Sequence, residues 1–355
     1  MPNAAPTFPV VDDTSMTFAL ADRGGRLTGV RLAQEIGLAD PLEFARVPSG
    51  WWRLRLPLPD VDRLEYLFEV TDHNAHRATV NDAANPRRAP GAFGEKSVIE
   101  FAGYRPPAWL ATAPSPGRES ELRVAAPELD GELAATLWTP TGLGAHEPAP
   151  LLVVHDGPEY AALGGLTHYL GAAISTGALP PMRAALVDPG ERNAWYSANP
   201  AYPPALARLL TELDEVAPAT VRIGVGVSLG GLALVHAHRT HPGAFDALLL
   251  QSGSFFTAEL DPQESGFSGF AAVTAFVADV HAARSDPHPV PTVLTCGTVE
   301  ENLANNVELA ATLQRLGYAT ELVQVRDAHN FTAWRDALDP HLTTLIMDLV
   351  RARAA

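Results

Sequence analysis

The stretch Val221-Arg-Ile-Gly-Val-Gly-Val-Ser-Leu-Gly-Gly231 is the part of the sequence that decides the fold. It places Gly226-Val-Ser-Leu-Gly230 between a run of apolar, β-branched residues and a helix that is predicted to begin near Leu232. A serine flanked by glycines at a tight strand-to-helix turn is typical of a nucleophile elbow, because the glycines let neighbouring chain pass closely while the hydroxyl points into the cleft. The pattern predicts Ser228 as a nucleophile and the backbone N–H of Leu229 as one oxyanion donor.

A histidine is the next residue that such a nucleophile requires, because a serine hydroxyl is a weak nucleophile at neutral pH without a base. After a nucleophile elbow the partners follow in the order serine, acid, histidine. The histidines well beyond the elbow and its helix are His281, His288, His329 and His341. Only His329 lies in a loop directly after a predicted strand, Glu321 to Val325, and it is therefore the predicted base.

The acid that orients this base is expected after the preceding strand, Pro291 to Cys296. Glu300 and Glu301 both qualify by position. Each also suits the first turn of the helix that follows, where acidic side chains are favoured. Asp327 lies close to the histidine in sequence and is expected only to brace the loop.

A second oxyanion donor is expected in the loop after the apolar run Leu151 to Val154. Pro158 has no N–H and is excluded. Gly157 is the first candidate and Glu159 the second.

The chain beyond residue 117 alternates apolar runs with amphipathic stretches, which predicts an α/β fold with a mainly parallel sheet. The predicted strands are Leu151–Val154, Ala184–Val187, Val221–Val227, Ala247–Leu250, Pro291–Leu294 and Glu321–Val325. In the part of the chain before residue 117, short alternating segments such as Trp52–Leu56 and Tyr66–Val70 predict a small antiparallel β-sandwich. The breaker-rich stretch Ala111–Gly117 has the composition of a linker. We therefore predict one domain over residues 1–117 and a second over 118–355.

The composition limits the possible partners. The chain has 355 residues, 46% of them hydrophobic, and a formal charge of −16, so nucleic acid and anionic membranes are not expected to bind. The N-terminus lacks the basic and apolar regions of a signal peptide, which predicts a soluble, cytoplasmic protein. Cys296 is the lone cysteine, which excludes an internal disulfide and a cysteine zinc cage. The predicted chemistry needs no metal and no organic cofactor.

Six segments of the chain, taken in order, resemble the enterochelin (ferric enterobactin) esterase-like family, within the wider group of α/β-hydrolases that also contains feruloyl esterases. They are Val153-Val-His-Asp-Gly-Pro-Glu-Tyr160, Asp188-Pro-Gly-Glu-Arg-Asn-Ala-Trp-Tyr-Ser-Ala-Asn199, Gly226–Gly231, Gln251-Ser-Gly-Ser-Phe-Phe256, Cys296-Gly-Thr-Val-Glu300 and Ala328-His-Asn-Phe-Thr-Ala-Trp-Arg335. The N-terminal part, with Tyr66–Val70, Asn85-Pro86 and Phe93-Gly94, is similar to the immunoglobulin-like domain that precedes the hydrolase in these esterases.

The resemblance implies a triad of Ser228, His329 and Glu300 in a serine esterase. Its implied substrate is a small-molecule ester, namely a ferric siderophore of the enterochelin type. It also implies that Arg192 faces the substrate, where a guanidinium would suit the negative charge of a ferric catecholate; a structural ion pair is the alternative. Trp195, Tyr196, Trp334 and Arg335 are the other candidates for lining the pocket, and Trp334 is alternatively an anchor for the last helix.

The chain departs from the family at two points. It has Asp327-Ala-His329 where Gly-Gly-His is common, and Phe255-Phe256 where tryptophan is usual. The alternatives are therefore a general carboxylesterase or a feruloyl- or acetyl-type carbohydrate esterase, and, from another class, a catalytically silent binding protein on a hydrolase scaffold. The sequence leaves the particular ester and the oligomeric state open.

Overall fold

The N-terminal strands form two antiparallel sheets. The structure is a computed structural model that describes residues 9–48 and 50–354. These strands are β1 (Val10–Val11), β2 (Ser15–Ala21), β3 (Leu27–Gln34), β4 (Ala45–Val47), β5 (Trp51–Pro57), β6 (Arg63–Asp72), β7 (Arg77–Val80), β8 (Arg88–Ala89) and β9 (Lys96–Glu100). One sheet has the order β1-β2-β5-β4, and the other has the order β3-β6-β9-β8 with β7 beside β6.

The core of this part follows from the alternation of side chains along its strands. In β5 the side chains of Trp52, Leu54 and Leu56 are buried while their neighbours are more exposed, as expected of a strand with one face toward a core. The ring of Phe18 from one sheet meets the ring of Tyr66 from the other edge-on, with centroids 4.9 Å apart. The prediction of an all-β N-terminal part is confirmed, whereas its immunoglobulin-like character stays a prediction.

The chain divides into two compact units. Unit 1 contains residues up to Arg105 together with two short segments, Thr298–Glu300 and Arg326–Asn330. Unit 2 contains Pro106–Gly297, Glu301–Val325 and Phe331–Ala355. The predicted domain limits, 1–117 and 118–355, stay a prediction.

Unit 2 is built on an eight-stranded sheet with helices. Its strands are β10 (Gly117–Ala126), β11 (Gly131–Pro140), β12 (Ala149–Val154), β13 (Arg183–Val187), β14 (Ala219–Val227), β15 (Ala247–Gln251), β16 (Thr292–Gly297) and β17 (Thr320–Val325). Its helices are α1 (Gly157–Leu163), α2 (Leu166–Thr176), α3 (Arg192–Tyr196), α4 (Tyr202–Val216), α5 (Leu229–Thr240), α6 (Phe270–Ala282), α7 (Leu303–Arg315), α8 (Phe331–Asp336) and α9 (His341–Ala354). Short 3-10 turns occupy Ala108–Ala111, Pro127–Leu129 and Pro262–Gly266.

The order of this sheet is β10-β11-β13-β12-β14-β15-β16-β17 among the described residues. The first three strands pair antiparallel, and every pairing from β13 to β17 is parallel. Each of the six predicted strands is present, with its limits within three residues of the predicted ones. The prediction of a mainly parallel sheet is confirmed.

The strands β12, β13, β15 and β16 are buried along their whole length, which explains why they appear in the sequence as mainly apolar runs, whereas β17 at the end of the sheet is only partly buried. In β12, Leu151 and Val153 belong to one apolar cluster, and Leu152 and Val154 to another. The first cluster includes side chains of α4, α5, α6 and α7, and the second includes side chains of α2, α8 and α9. Helices therefore cover both faces of the sheet. None of the helices within 9–48 and 50–354 combines the length and the apolarity that crossing a bilayer requires.

Candidate active site

Ser228 occupies the single residue between β14 and α5. Its backbone has φ 53° and ψ −126°, a conformation that is uncommon for a residue with a side chain. The turn is held by its neighbours: the Ser228 N–H donates to the Gln251 carbonyl at 2.9 Å, and its own carbonyl accepts from the Gly231 N–H at 3.0 Å. The helix begins at Leu229, so the predicted start near Leu232 was three residues late, because the turn needs only one residue.

The glycines on either side of this serine are required by close backbone approach. A Cβ atom on Gly226 would lie 2.6 Å from the carbonyl carbon and oxygen of Gly230, which is inside the van der Waals limit. A Cβ atom on Gly230 would in turn lie 3.1 Å from the Cβ of His155 and from Oδ2 of Asp156. The loop that follows β12 therefore packs directly against the first turn of α5.

The two predicted oxyanion donors begin neighbouring helices. Leu229 is the first residue of α5 and Gly157 is the first residue of α1, and these helices follow the paired parallel strands β14 and β12. The N–H groups of a first helical turn have no acceptor within the helix. Glu159, the second candidate, lies in the same first turn of α1. The geometry thus brings both predicted segments to one edge of the sheet.

A second hydroxyl lies beside that of Ser228. The Oγ atoms of Ser228 and Ser254 are 3.1 Å apart, and the Ser254 N–H donates to the Ser228 carbonyl at 3.1 Å. Ser254 is buried and follows β15, the strand next to β14. Ser254 was not among the predicted site residues, although its place in the segment Gln251-Ser-Gly-Ser after a predicted strand was a usable signal.

His155 is a packing residue. Its Nε2 is 2.6 Å from the hydroxyl of Tyr202, and its ring meets that of Tyr196 edge-on with centroids 5.0 Å apart. Complete burial lowers the pKa of His155 to about 3, with a smaller contribution from the charge of Arg192. The imidazole is therefore neutral at physiological pH.

Arg192 is paired with Asp156. Its Nε and one terminal nitrogen donate to the two carboxylate oxygens at 2.6 and 2.8 Å, a bidentate arrangement. The aspartate side chain is 5% exposed, whereas the arginine side chain keeps 33% of its surface exposed. Because Asp156 lies beside the first turn of α5, this pair holds a guanidinium next to the elbow.

The aromatic candidates for the pocket have different surroundings. Tyr196 is completely buried against His155 and Tyr202, which leaves its ring no surface for a ligand. Trp334 is 6% exposed, and its indole N–H donates to the Ser252 hydroxyl at 2.9 Å, a bond that joins α8 to the residue after β15. Trp195 is half-buried at the side of α3, so it alone of the three predicted aromatics keeps appreciable accessible surface.

His329 and Glu300 are directly hydrogen-bonded. The His329 Nδ1–H donates to Oε2 of Glu300 at 2.8 Å. The glutamate side chain is 1% exposed and the histidine side chain 35% exposed. A carboxylate only accepts hydrogen bonds, so the proton lies on Nδ1 and the lone pair on Nε2, as a general base requires.

Glu301, the competing acid, has a different environment. Its side chain is exposed, and its Oε2 accepts a hydrogen bond from the Gln263 amide at 3.2 Å. The geometry therefore favours Glu300 as the orienting acid.

A mainly parallel sheet covered by helices on both faces, with a serine in a nucleophile elbow after a central strand, defines the α/β-hydrolase class. Solved structures support this class. The ferric enterobactin esterase of Salmonella typhimurium is 21% identical, with 95% of this chain and 94% of that chain covered and a TM-score of 0.78. The enterobactin esterase of Shigella flexneri in the presence of enterobactin is 20% identical, with 96% and 95% covered and a TM-score of 0.76.

One curated sequence relative is similar to part of the chain. The iron(III) enterobactin esterase of Dickeya dadantii is 27% identical over 248 residues, which is 64% of this chain. That match spans 55% of the length of the relative. No family model matches the chain. The predicted resemblance to the enterochelin esterase-like proteins is confirmed as a similarity, and the fold is that of an α/β-hydrolase.

Proposed function

We propose that this chain is a serine esterase in which Ser228 is the nucleophile, His329 the general base and Glu300 the acid that orients it. The observation that carries the proposal is the 2.8 Å hydrogen bond from His329 Nδ1 to Glu300, since it leaves the lone pair of the imidazole on Nε2. The strained backbone of the serine supports the same conclusion, because such strain is typical of functional turns.

The proposed reaction has two halves. The Ser228 hydroxyl attacks the ester carbonyl while His329 Nε2 takes its proton, and Glu300 stabilises the resulting imidazolium. The N–H groups of Leu229 and Gly157 bind the oxyanion of the tetrahedral intermediate. The imidazolium then protonates the leaving alcohol, and a water molecule activated by the same histidine releases the acid and regenerates the serine.

The proposed substrate is an ester of a siderophore of the enterochelin type in its ferric form. Enterobactin esterases among the relatives support this choice. The guanidinium of Arg192, one third exposed beside the elbow, and the half-buried Trp195 are the side chains that we propose to contact it. Hydrolysis in the cytoplasm, with release of iron there, belongs to the same proposal.

The test compares hydrolysis of short p-nitrophenyl esters with hydrolysis of ferric and iron-free tris-catecholate siderophores. The enzymes are the parent, Ser228→Ala, His329→Ala, and Ser120→Ala as a matched control, since Ser120 is an exposed serine in β10. We expect both site variants to lose nearly all turnover while remaining folded, and the control to retain it. Cleavage of siderophores far above the simple-ester rate supports iron release as the role.

Two other outcomes have distinct meanings. Rapid turnover of simple esters without siderophore cleavage would support the proposed triad, but the function would then be that of a general carboxylesterase. Failure of a fluorophosphonate probe to label Ser228, together with no hydrolysis of any ester, refutes the enzyme and favours a binding protein on this scaffold.

A further inference from the structure

The loop that carries His329 is organised by the residue two positions before it. Oδ1 of Asp327 accepts hydrogen bonds from the Ala328 N–H at 2.8 Å and from the Asn330 side-chain amide at 2.9 Å. The Asn330 N–H also donates to the Ala328 carbonyl at 2.9 Å. One carboxylate therefore binds the residues on both sides of the proposed base, and its position determines the path of the backbone through His329.

Asp327 is itself held by a buried arginine of strand β6. Nη1 of Arg63 donates to Oδ2 of Asp327 at 2.9 Å and, at 3.4 Å, to the side-chain oxygen of Asn330. Its Nη2 donates to Glu65 at 2.8 Å. The arginine side chain is 2% exposed, so its charge is stable there only because two carboxylates and a fork of hydrogen bonds surround it. The guanidinium also lies 5.6 Å from the ring centroid of Tyr104.

The same unit holds both segments of the base and acid pair by apolar contacts. Ala328, next to His329, belongs to the core cluster of the two N-terminal sheets, and Val299, next to Glu300, packs against that cluster. The Asp62 N–H, one residue before Arg63, donates to the Arg326 carbonyl at 2.7 Å. Packing therefore fixes where the two segments lie, whereas the directional bonds of Arg63 determine the orientation of the loop.

We propose that Arg63 is a positioning residue for catalysis, which acts through Asp327 to hold the imidazole of His329 in line with Glu300. The proposal rests on the proposed function, since it assumes that His329 is the base. An arginine is required at this position because the planar fork serves Glu65, Asp327 and Asn330 at once. A lysine keeps the positive charge but has only one side-chain nitrogen, so it cannot form the same set of hydrogen bonds. A methionine removes both the charge and the hydrogen-bond donors.

The experiment uses the full chain with Arg63→Met, Arg63→Lys and the control Arg31→Met. Arg31 is also an arginine of unit 1 between two carboxylates, Asp40 at 3.0 Å and Glu43 at 2.6 Å, but it is more exposed and bonds neither loop of the base and acid pair. Each variant is titrated with a fluorophosphonate to count reactive serines, and kcat and KM for a p-nitrophenyl ester are then expressed per titrated site. Thermal unfolding is followed in parallel.

We expect Arg63→Met to lower kcat per titrated site by about 10-fold to about 100-fold, as small misplacements of a catalytic group do, with KM changed by less than about 2-fold. Arg63→Lys should recover part of this loss, and Arg31→Met should match the parent. The proposal is overturned if the loss disappears when rates are expressed per titrated site, since Arg63 would then only support folding. If Arg63→Met does not fold, Arg63→Lys serves as the test. A kcat of Arg63→Lys equal to that of the parent then refutes the positioning role.

A spectroscopic measurement separates this proposal from the proposed function. The Nδ1 proton of His329, hydrogen-bonded to Glu300, should give a low-field proton resonance in protein labelled with ¹⁵N-histidine, assigned by its loss in His329→Ala. We expect the resonance to shift or broaden in Arg63→Met and to persist in Arg31→Met. If the resonance is unchanged in Arg63→Met, the positioning role is overturned, even if the parent hydrolyses no ester. If the resonance changes in Arg63→Met but the parent hydrolyses no ester, only the proposed esterase function is refuted.

Discussion

Replacing each of the two consecutive glutamates by glutamine should have very different effects on turnover. The Glu300 side chain is 1% exposed and accepts the Nδ1–H of His329 at 2.8 Å, so water cannot replace it. Glutamine has the same shape but no charge, and it either accepts from Nδ1 or donates to it through its nitrogen. In the second arrangement the proton moves to Nε2, where the base needs its lone pair.

The size of the effect follows from this geometry. Loss of the orienting carboxylate in a serine triad lowers kcat by up to about 10,000-fold. A glutamine whose side-chain oxygen accepts the Nδ1–H for part of the time retains part of the rate enhancement. We therefore expect Glu300→Gln to lower kcat by about 100-fold to 10,000-fold, which corresponds to about 3 to 5 kcal/mol of transition-state stabilisation. Glu301 is exposed and bonded only to Gln263 among the contacts described, so Glu301→Gln should change kcat by less than about 2-fold.

The assay is hydrolysis of a p-nitrophenyl ester at several concentrations, with the number of active serines measured for each variant. The two variants control for each other, because each removes one negative charge from adjacent positions of the same segment. Equal losses at the two positions would refute the assignment of the acid. A larger loss at Glu301 would show that the hydrogen bond of Glu300 is structural.

Three further perturbations test the surroundings of the site. Arg192→Met leaves the buried carboxylate of Asp156 without its bidentate partner, so chemical denaturation should show a free energy of unfolding lower by about 2 to 3 kcal/mol; an unchanged stability would contradict the ion pair. Gly226→Ala places a Cβ 2.6 Å from the backbone of Gly230 and should cost about 1 to 3 kcal/mol and most turnover, whereas parental melting and rate would disprove the close approach. His155→Gln should flatten the dependence of the free energy of unfolding on pH. Because the pKa of His155 is lowered from 6.5 to about 3 in the folded state, the parent loses stability as pH falls below 6.5, by up to about 1.4 kcal/mol per pH unit from this residue. Urea denaturation at pH 7, 6 and 5 should therefore show a shallower loss of stability in the variant.

Local patterns predicted most of the fold. The strands of unit 2 were identified mainly by their apolar runs, because a parallel strand covered on both faces is apolar at most positions, and all six predicted strands pair in parallel in the structure. The elbow was recognisable because its requirements, two glycines and a serine between a strand and a helix, lie within five consecutive residues. Its helix begins earlier than predicted, because propensity does not reveal that one strained residue suffices for the turn.

The burial of the candidate pocket-lining residues could not be predicted from the sequence. Tyr196 and Trp334 occur in segments that resemble the family, but the fold buries both side chains. An aromatic residue next to a functional motif is equally suited to packing and to binding, and the sequence contains no measure of burial. Ser254, whose hydroxyl oxygen lies 3.1 Å from that of Ser228, follows a predicted strand in a segment that resembles the family, but its contact with Ser228 is made by the fold between residues 26 positions apart.

The sequence by itself determined the class of fold and the positions of the parallel strands along the chain, and it singled out Ser228 and His329 as the proposed nucleophile and base, because each of these depends on residues that are close together along the chain. Only the tertiary structure distinguished Glu300 from Glu301 by geometry, since consecutive residues differ in direction and not in spacing. It alone joined Arg63 to Asp327, 264 positions away. A hydrogen bond depends on the distance and the direction between two atoms, and for residues remote in the chain both are set by the packing of the whole unit.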